Sequence, residues 1–146
     1  MATTDDNRIF VDTNVLLAAT DTSRDCHAEA VAFLDRGFRG DWRLFVIPQI
    51  LREYLVVATR PLEANGLGLS PSAACGNVRH FSGFLHVLPE NADTAEQLLI
   101  EVGECKLKGK RIHDANLVAA MTCHGLRKLK TYNPTDFKAF PALELL

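Results

Sequence analysis

The sequence has 146 residues, of which 47% are hydrophobic and 23% charged, a balance typical of a globular protein and sufficient for a single domain over residues 1–146 with a sizeable core. The formal net charge of −2 at pH 7 does not indicate a general nucleic-acid binder, although a local basic patch can act independently of the total. No apolar run approaches the roughly 18 residues of a membrane helix, and the polar start is unlike a signal peptide, so we expect no membrane span and a cytoplasmic location.

The first predicted element is a buried strand that leads directly into a carboxylate. Ile9–Val11 is apolar, Asp12, Thr13 and Asn14 are polar, and a second apolar run starts at Val15. A short apolar run bounded by polar residues is typical of a buried strand. Ligands of open α/β sheets bind at the carboxyl ends of the strands, so Asp12 is expected at the edge of a site. Thr13 or Asn14 is predicted to cap a helix that begins at Val15.

The rest of the chain alternates predicted helices and strands. Helices are expected over Asp25–Arg39, over Gln49–Arg60 after Pro48, over Ser72–Leu85, from a cap at Asp93 or Thr94 to Lys108, and from Asp114 to Gly125. Strands are expected at Leu44–Ile47, His86–Leu88 and Leu126–Tyr132, followed by a turn at Asn133–Phe137. This alternation predicts a mostly parallel sheet with helices on both faces.

The cysteines give little sign of metal binding. Cys26, Cys75, Cys105 and Cys123 contain no CxxC pair, so a structural zinc site is not favoured. In an intracellular chain we expect them to be small buried hydrophobic side chains.

Acidic residues stand at equivalent places in several predicted elements. Asp12 ends a strand, Glu53 lies in the first turns of a helix, Asp114 begins a helix, and Asp136 lies in the last turn. We expect these acids to meet at the carboxyl edge of the sheet. Their mutual repulsion would be relieved by a dication that prefers oxygen ligands, such as Mg²⁺ or Mn²⁺. Taken singly, each acid also fits a helix cap, a solvated helix position or a turn, so the prediction rests on their combination.

Basic residues near these acids are candidates for substrate binding. They are Arg52, Lys108, Lys110 and Arg111, with Lys128 and Lys130 shortly before Asn133. Cations around an acidic centre would hold a phosphate backbone. Lysines at the end of a helix also interact favourably with its dipole, so Lys108 fits either role.

Four segments resemble the motifs of PIN domains, and within that family those of VapC-type ribonuclease toxins from bacterial toxin–antitoxin pairs. They are Val11–Leu17, Ile47–Tyr54, His113–Ala120 and Thr131–Phe137. The resemblance extends in order from about Ile9 to about Phe140.

The resemblance implies a three-layer PIN-like α/β fold with a central, mostly parallel sheet flanked by helices. It matches Asp12, Glu53 and Asp114 to the three core acids of the family. Asp12 and Asp114 would hold Mg²⁺ or Mn²⁺, while Glu53 would take a proton or fix the outer shell of the metal. Thr13 and Asn14 would support the centre.

The fourth acidic position of the family departs from the pattern here. The family often has an acid two residues after the threonine matched by Thr131, and this chain has Asn133 at that place. Asp136 is therefore the candidate for the fourth catalytic acid, with Thr131 and Asn133 in supporting roles.

The activity implied by the resemblance is hydrolysis of single-stranded RNA to 5′-phosphate and 3′-hydroxyl ends. A cognate antitoxin across the active groove and a homodimer are also implied, and the helices over 25–39 and 49–60 are apolar enough to provide such surfaces. Two alternatives stay open. One is a non-catalytic PIN-like RNA- or protein-binding module, and the other is an aspartate-based phosphatase with Asp12 as nucleophile.

Overall fold

The computed structural model describes residues 6–146. Its strands are β1 (Arg8–Val11), β2 (Arg43–Val46), β3 (Leu85–Val87), β4 (Lys128–Lys130) and β5 (Glu144–Leu145). Its helices are α1 (Thr13–Thr20), α2 (His27–Phe38), α3 (Pro48–Thr59), α4 (Pro71–Ser82), α5 (Ala92–Cys105) and α6 (Arg111–Cys123). Short 3₁₀ turns occupy Leu62–Ala64 and Pro134–Phe137.

The five strands form one parallel sheet in the order β3-β2-β1-β4-β5. Along the chain, α1 packs on α2 and α3, α3 packs on α4, and α5 packs on α6. The predicted α/β fold with a parallel central sheet flanked by helices is confirmed. The two strands with uninterrupted apolar runs, β1 and β2, bury three residues each, as expected of parallel strands that are covered on both faces.

The central strand β1 fixes the position of the site. Ile9, Phe10 and Val11 are fully buried, and β1 pairs with β2 on one side and β4 on the other. The chain leaves β1 at Asp12, whose backbone N–H donates to the Lys130 carbonyl at 3.0 Å. Asp12 therefore lies at the carboxyl edge of the sheet, beside the end of β4.

Two predicted helix caps are wrong because the capping residue precedes the predicted one. Asp12, rather than Thr13 or Asn14, caps α1, and its carboxylate accepts the Thr13 N–H. At α5 the cap is Asn91, whose side chain accepts two backbone N–H groups and forms a capping box with Thr94. In both places the residue just before the helix has a polar side chain that accepts the unpaired N–H groups of the first turn, so the helix begins directly after it.

Other differences concern helix limits and faces. Helix α6 begins at Arg111, so Asp114 lies in its first turn and does not start it. On α2, two large apolar side chains at helical spacing with Leu34 are nevertheless exposed, Val31 to 45% and Phe38 to 67%. The face that α2 buries carries Ala30 and Leu34.

Strand β5 and the environment of the cysteines were not predicted correctly. No strand is predicted after the turn at Asn133–Phe137, whereas β5 pairs with β4. All cysteines are free, three are partly buried and Cys123 is exposed, so the expectation that they are buried is wrong. Three of the four stand at helix ends, and two of these, Cys26 and Cys105, are partly buried against the core.

The polar start, on which the expectation of no signal peptide rests, lies largely outside the described residues. Within residues 6–146, none of the helices combines the length and the apolar character needed to cross a bilayer.

Candidate active site

Asp12 lies at the centre of a hydrogen-bonded cluster at the end of β1. Oδ1 accepts the Thr13 N–H at 2.8 Å, and Oδ2 accepts the Thr131 hydroxyl at 2.8 Å. Burial raises the pKa of the Asp12 carboxyl, and the charges of Glu53 and Asp136 raise it further. The hydrogen bonds from Thr131 and Thr13 oppose that rise. Asp12 is therefore held rigidly in surroundings that disfavour an uncompensated negative charge.

Thr131 and Asn14 connect the end of β4 to the first turn of α1. The Thr131 hydroxyl oxygen accepts the Asn14 Nδ2 group at 3.3 Å and the Asn133 N–H at 3.1 Å. The Asn14 side-chain oxygen accepts the Tyr132 N–H at 3.2 Å. These bonds orient Thr131 for its donation to Asp12, and the contribution of Asn133 to them is its backbone N–H.

Glu53 on α3 is held at both carboxylate oxygens. Oε2 accepts the Thr13 hydroxyl at 2.7 Å, and Oε1 accepts the Gln49 amide at 2.7 Å. Thr13 and Gln49 are buried, at 7% and 4% exposure. Two buried donors thus fix the direction of a carboxylate whose charge acts on Asp12.

Asp114 is the most strongly perturbed acid of the group. Its pKa rises from 3.8 to about 6, chiefly through burial and then through the charges of Asp136, Asp12 and Glu53, while Arg111 opposes the rise. The four predicted catalytic acids therefore share one electrostatic neighbourhood, although they come from four separate parts of the chain.

The two candidates for the fourth position, Asp136 and Asn133, differ in charge and in surroundings. The charge of Asp136 raises the pKa of both Asp12 and Asp114. Asn133 is exposed, and its backbone N–H donates to Thr131. Asp136 is therefore the fourth negative charge that acts on the centre, and Asn133 lies at its rim.

The donor set fits a hard dication. Within residues 6–146, no group of three or more His, Cys, Asp or Glu side chains stands close enough together to hold a metal ion. Mg²⁺, however, is usually bound by one or two carboxylates together with water and substrate phosphate. Asp12 and Asp114 supply such a pair, and each has a raised pKa that a positive charge would lower.

The predicted substrate-binding residues differ in how close they lie to the acids. Arg111 acts on Asp114, and Arg52 lines a cavity that also contains Glu53. Lys108 and Lys110 are exposed between α5 and α6. The prediction that Lys130 lies at the rim is wrong, because its side chain is 10% exposed and pairs with a carboxylate of α2.

Sequence analysis missed a chain of polar side chains behind Glu53. Gln49 Nε2 also donates to the His113 carbonyl at 3.1 Å. Asn116 Nδ2 donates to Gln49 Oε1 and to Glu90 Oε1, each at 2.6 Å. One signal was available, because Gln49 precedes Glu53 by four positions and so shares its helix face.

Comparisons with known proteins agree with this geometry. No known family profile matches the chain. Ribonuclease VapC24 of Mycobacterium tuberculosis is 32% identical to this chain over 140 residues, which cover 90% of each chain. Ribonuclease VapC48 of the same species is 27% identical to it over 136 residues, which cover 92% of each chain. A toxin–antitoxin complex from Klebsiella pneumoniae contains a chain with TM-score 0.65 and 22% identity, covering 93% of this chain and 95% of that one. The chain therefore belongs to the VapC ribonuclease family.

Proposed function

We propose that this protein is a Mg²⁺- or Mn²⁺-dependent endoribonuclease and the toxin of a toxin–antitoxin pair. The observation that carries the proposal is the electrostatic coupling of four acids at the carboxyl edge of the sheet. Burial, and after it the charges of the neighbouring acids, raises the pKa of Asp12 and, to about 6, that of Asp114. Membership of the VapC family supports RNA as the substrate, and a cytoplasmic location is part of the proposal.

The residues of the centre have distinct roles in this proposal. Asp12 and Asp114 would hold the metal, with Asp12 kept in place by Thr131. When bound, the metal would supply positive charge that lowers the pKa of water and neutralises charge on the phosphate. Glu53 accepts a proton from the attacking water through a remaining lone pair of its carboxylate, since Thr13 and Gln49 occupy only one direction at each oxygen.

Asp136 and the basic residues complete the mechanism. Asp136 adds a fourth negative charge that strengthens the attraction for a cation. Arg52 and Arg111 would bind phosphates of the RNA on either side of the acids. Lys108 and Lys110, in the exposed turn before α6, would add affinity without base selectivity.

An antitoxin is the proposed protein partner. The Klebsiella pneumoniae neighbour was solved as a toxin–antitoxin complex, which supports this part of the proposal. Exposed Val31 and Phe38 of α2 line a cavity of about 620 Å³ with residues of α4, a surface suited to an apolar partner segment. The homodimer implied by the resemblance stays a prediction.

Cleavage of single-stranded RNA by the purified protein tests the function. With Mg²⁺ or Mn²⁺ we expect turnover that falls by at least about 100-fold in Asp12→Asn and in Asp114→Asn, because each change removes a charge that holds the cation. Asp93→Asn, which alters an exposed first-turn acid of α5, is the matched control and should cleave like the wild type. Equal cleavage in excess EDTA would overturn the metal-dependent mechanism.

A further inference from the structure

The helix that carries Glu53 also borders a cavity of about 440 Å³. Glu53 lines this cavity together with Arg52, Val56 and Arg60. The last three residues follow one another at intervals of four positions, so their side chains form one stripe that runs along α3 to its C-cap, Arg60. Because successive residues of a helix are about 100° apart, this stripe lies directly beside the face that carries Glu53.

The two arginines of the stripe are available to a ligand. Among the residues that the structure describes, neither Arg52 nor Arg60 forms a salt bridge, whereas Arg24 and Arg39 pair with acids at 3.2 Å and 2.8 Å. A guanidinium group presents a planar set of donors that matches phosphate. The cavity thus offers two unpaired cations beside a catalytic acid.

The backbone of Arg60 is fixed by the loop that follows α3. Its N–H donates to the Val56 carbonyl at 3.2 Å, and its carbonyl accepts the Gly68 N–H at 2.9 Å. The loop passes so close that a Cβ atom at Gly66 would lie 1.9 Å from the Arg60 carbonyl oxygen, so only glycine fits there. The arginine therefore extends from a fixed point, which lowers the entropy lost on binding.

Between the two cations the stripe is apolar. Val56 is 55% exposed, and His113 lines the cavity as well. Recognition of single-stranded RNA needs cations for the phosphates and a less polar surface against the bases and riboses. Both are present along this stripe within about 12 Å, since eight residues of helix rise by that distance.

We propose that this cavity is a nucleotide subsite, which binds single-stranded RNA next to the bond that is cleaved. Arg52 and Arg60 bind phosphates, and Val56 contacts the base or ribose between them. The inference rests on the proposed function and deepens it, because it assigns Arg60 and Val56 to the substrate. Among the described residues Arg52 and Arg60 form no salt bridge, so their positive charges attract a polyanion and repel a basic peptide segment.

Binding without turnover tests the subsite. Fluorescence anisotropy of a fluorescein-labelled oligouridylate is measured in EDTA over a range of salt concentrations. We expect Arg60→Ala and Arg52→Ala each to lower the salt dependence, the slope of log K against log salt, by about 0.7, as for loss of one phosphate contact to a single strand. Arg43→Ala is the control, because Arg43 lies at the start of β2, on the opposite edge of the sheet, and its slope should equal that of the wild type.

A second pair of variants tests the apolar part. Val56→Asp should weaken binding about 10-fold or more, because it places a carboxylate between the phosphates, and the exposed position tolerates the change. Leu99→Asp, at a 66% exposed position of α5, should bind as the wild type does. An unchanged salt slope in Arg60→Ala, or an equal loss of slope or affinity in the control variants, would overturn the subsite. The face would then be a candidate surface for a protein partner. A wild type that binds in this arginine-dependent way but cleaves no RNA would instead refute the proposed function and not the subsite.

Discussion

Asp12 combines a structural and an electrostatic role in one carboxylate. Its Oδ1 caps α1 through the Thr13 N–H, and its Oδ2 accepts the Thr131 hydroxyl. The same carboxylate feels the charges of Glu53 and Asp136. Capping a helix does not require other acids nearby, so the presence of Glu53 and Asp136 indicates a second role for Asp12. The capping bond to the Thr13 N–H helps to hold the carboxylate in place for that role.

Asp114 makes the metal-free protein sensitive to pH. An acid whose pKa is 3.8 in the unfolded chain and about 6 in the folded one binds more protons when folded. Its contribution to stability is complete below about pH 4 and is lost as the pH rises through about 6. We therefore expect Asp114→Asn to stabilise the metal-free protein relative to the wild type near neutral pH. The gain is on the order of 1 kcal/mol, discounted for the solvent that reaches this half-buried group.

Urea unfolding in EDTA at several pH values measures this effect. The stability difference between Asp114→Asn and wild type should grow between about pH 4 and about pH 7. Asp93→Asn, in the equivalent first turn of α5, is the control without a pH-dependent gain. A constant difference for Asp114→Asn across this range would contradict the electrostatic description of the site.

At the scale of elements, Gln49 joins the two helices that carry Glu53 and Asp114. From α3 it donates to the Glu53 carboxylate and to the His113 carbonyl, one residue before Asp114. Its own oxygen accepts the Asn116 amide of α6. A reversed Gln49 amide would direct its oxygen at a carboxylate and a carbonyl, so the observed orientation is the one that satisfies every group.

Loss of this link should reduce turnover more than substrate binding. Gln49→Leu keeps the side-chain volume but removes both donors, so we expect kcat to fall about 10- to 100-fold with little change in KM. The matched control is Gln97→Leu, since Gln97 makes the same contact to Glu101 four residues later on α5, at 3.0 Å. Steady-state kinetics of the two variants makes the comparison. Equal effects would show that the bond at Gln49 is only a helix-stabilising contact.

At the scale of the whole molecule, the sheet order brings the acids together. β1 is central, and its neighbours β2 and β4 lead into α3 and into the turn that holds Asp136. Because all strands are parallel, these exits lie at one edge. Four negative charges then act on one another at this edge, and the folded state carries a repulsion that the extended chain does not have.

A bound dication should remove that repulsion and stabilise the whole fold. With Mn²⁺ at about 100 times its dissociation constant, linkage predicts about 2.7 kcal/mol, or roughly 5–10 °C in Tm for a chain of this size. Thermal unfolding with and without Mn²⁺, beside calorimetric titration, measures this. The double variant carrying Asp12→Asn and Asp114→Asn should show little shift. An equal shift in that variant would mean that Mn²⁺ acts elsewhere.

What the sequence by itself determined is the local pattern. Short apolar runs before Asp12 and Pro48 predicted buried parallel strands, because only residues covered on both faces are apolar without interruption. The alternation of strands with helices predicted the α/β class. The motif around Asp12, Glu53 and Asp114 predicted the family that the comparisons show.

Only the tertiary structure decided which side chains meet. The contact of Gln49 with Asn116 and the burial of Lys130 against α2 join residues far apart in the chain, and neither was predicted. The pairing of the short β5 strand with β4 is of the same kind. Such contacts depend on how helices and strands pack and on which polar groups must find partners when buried. Residue spacing shows which side chains share a face of one element, but it does not show which element packs against that face.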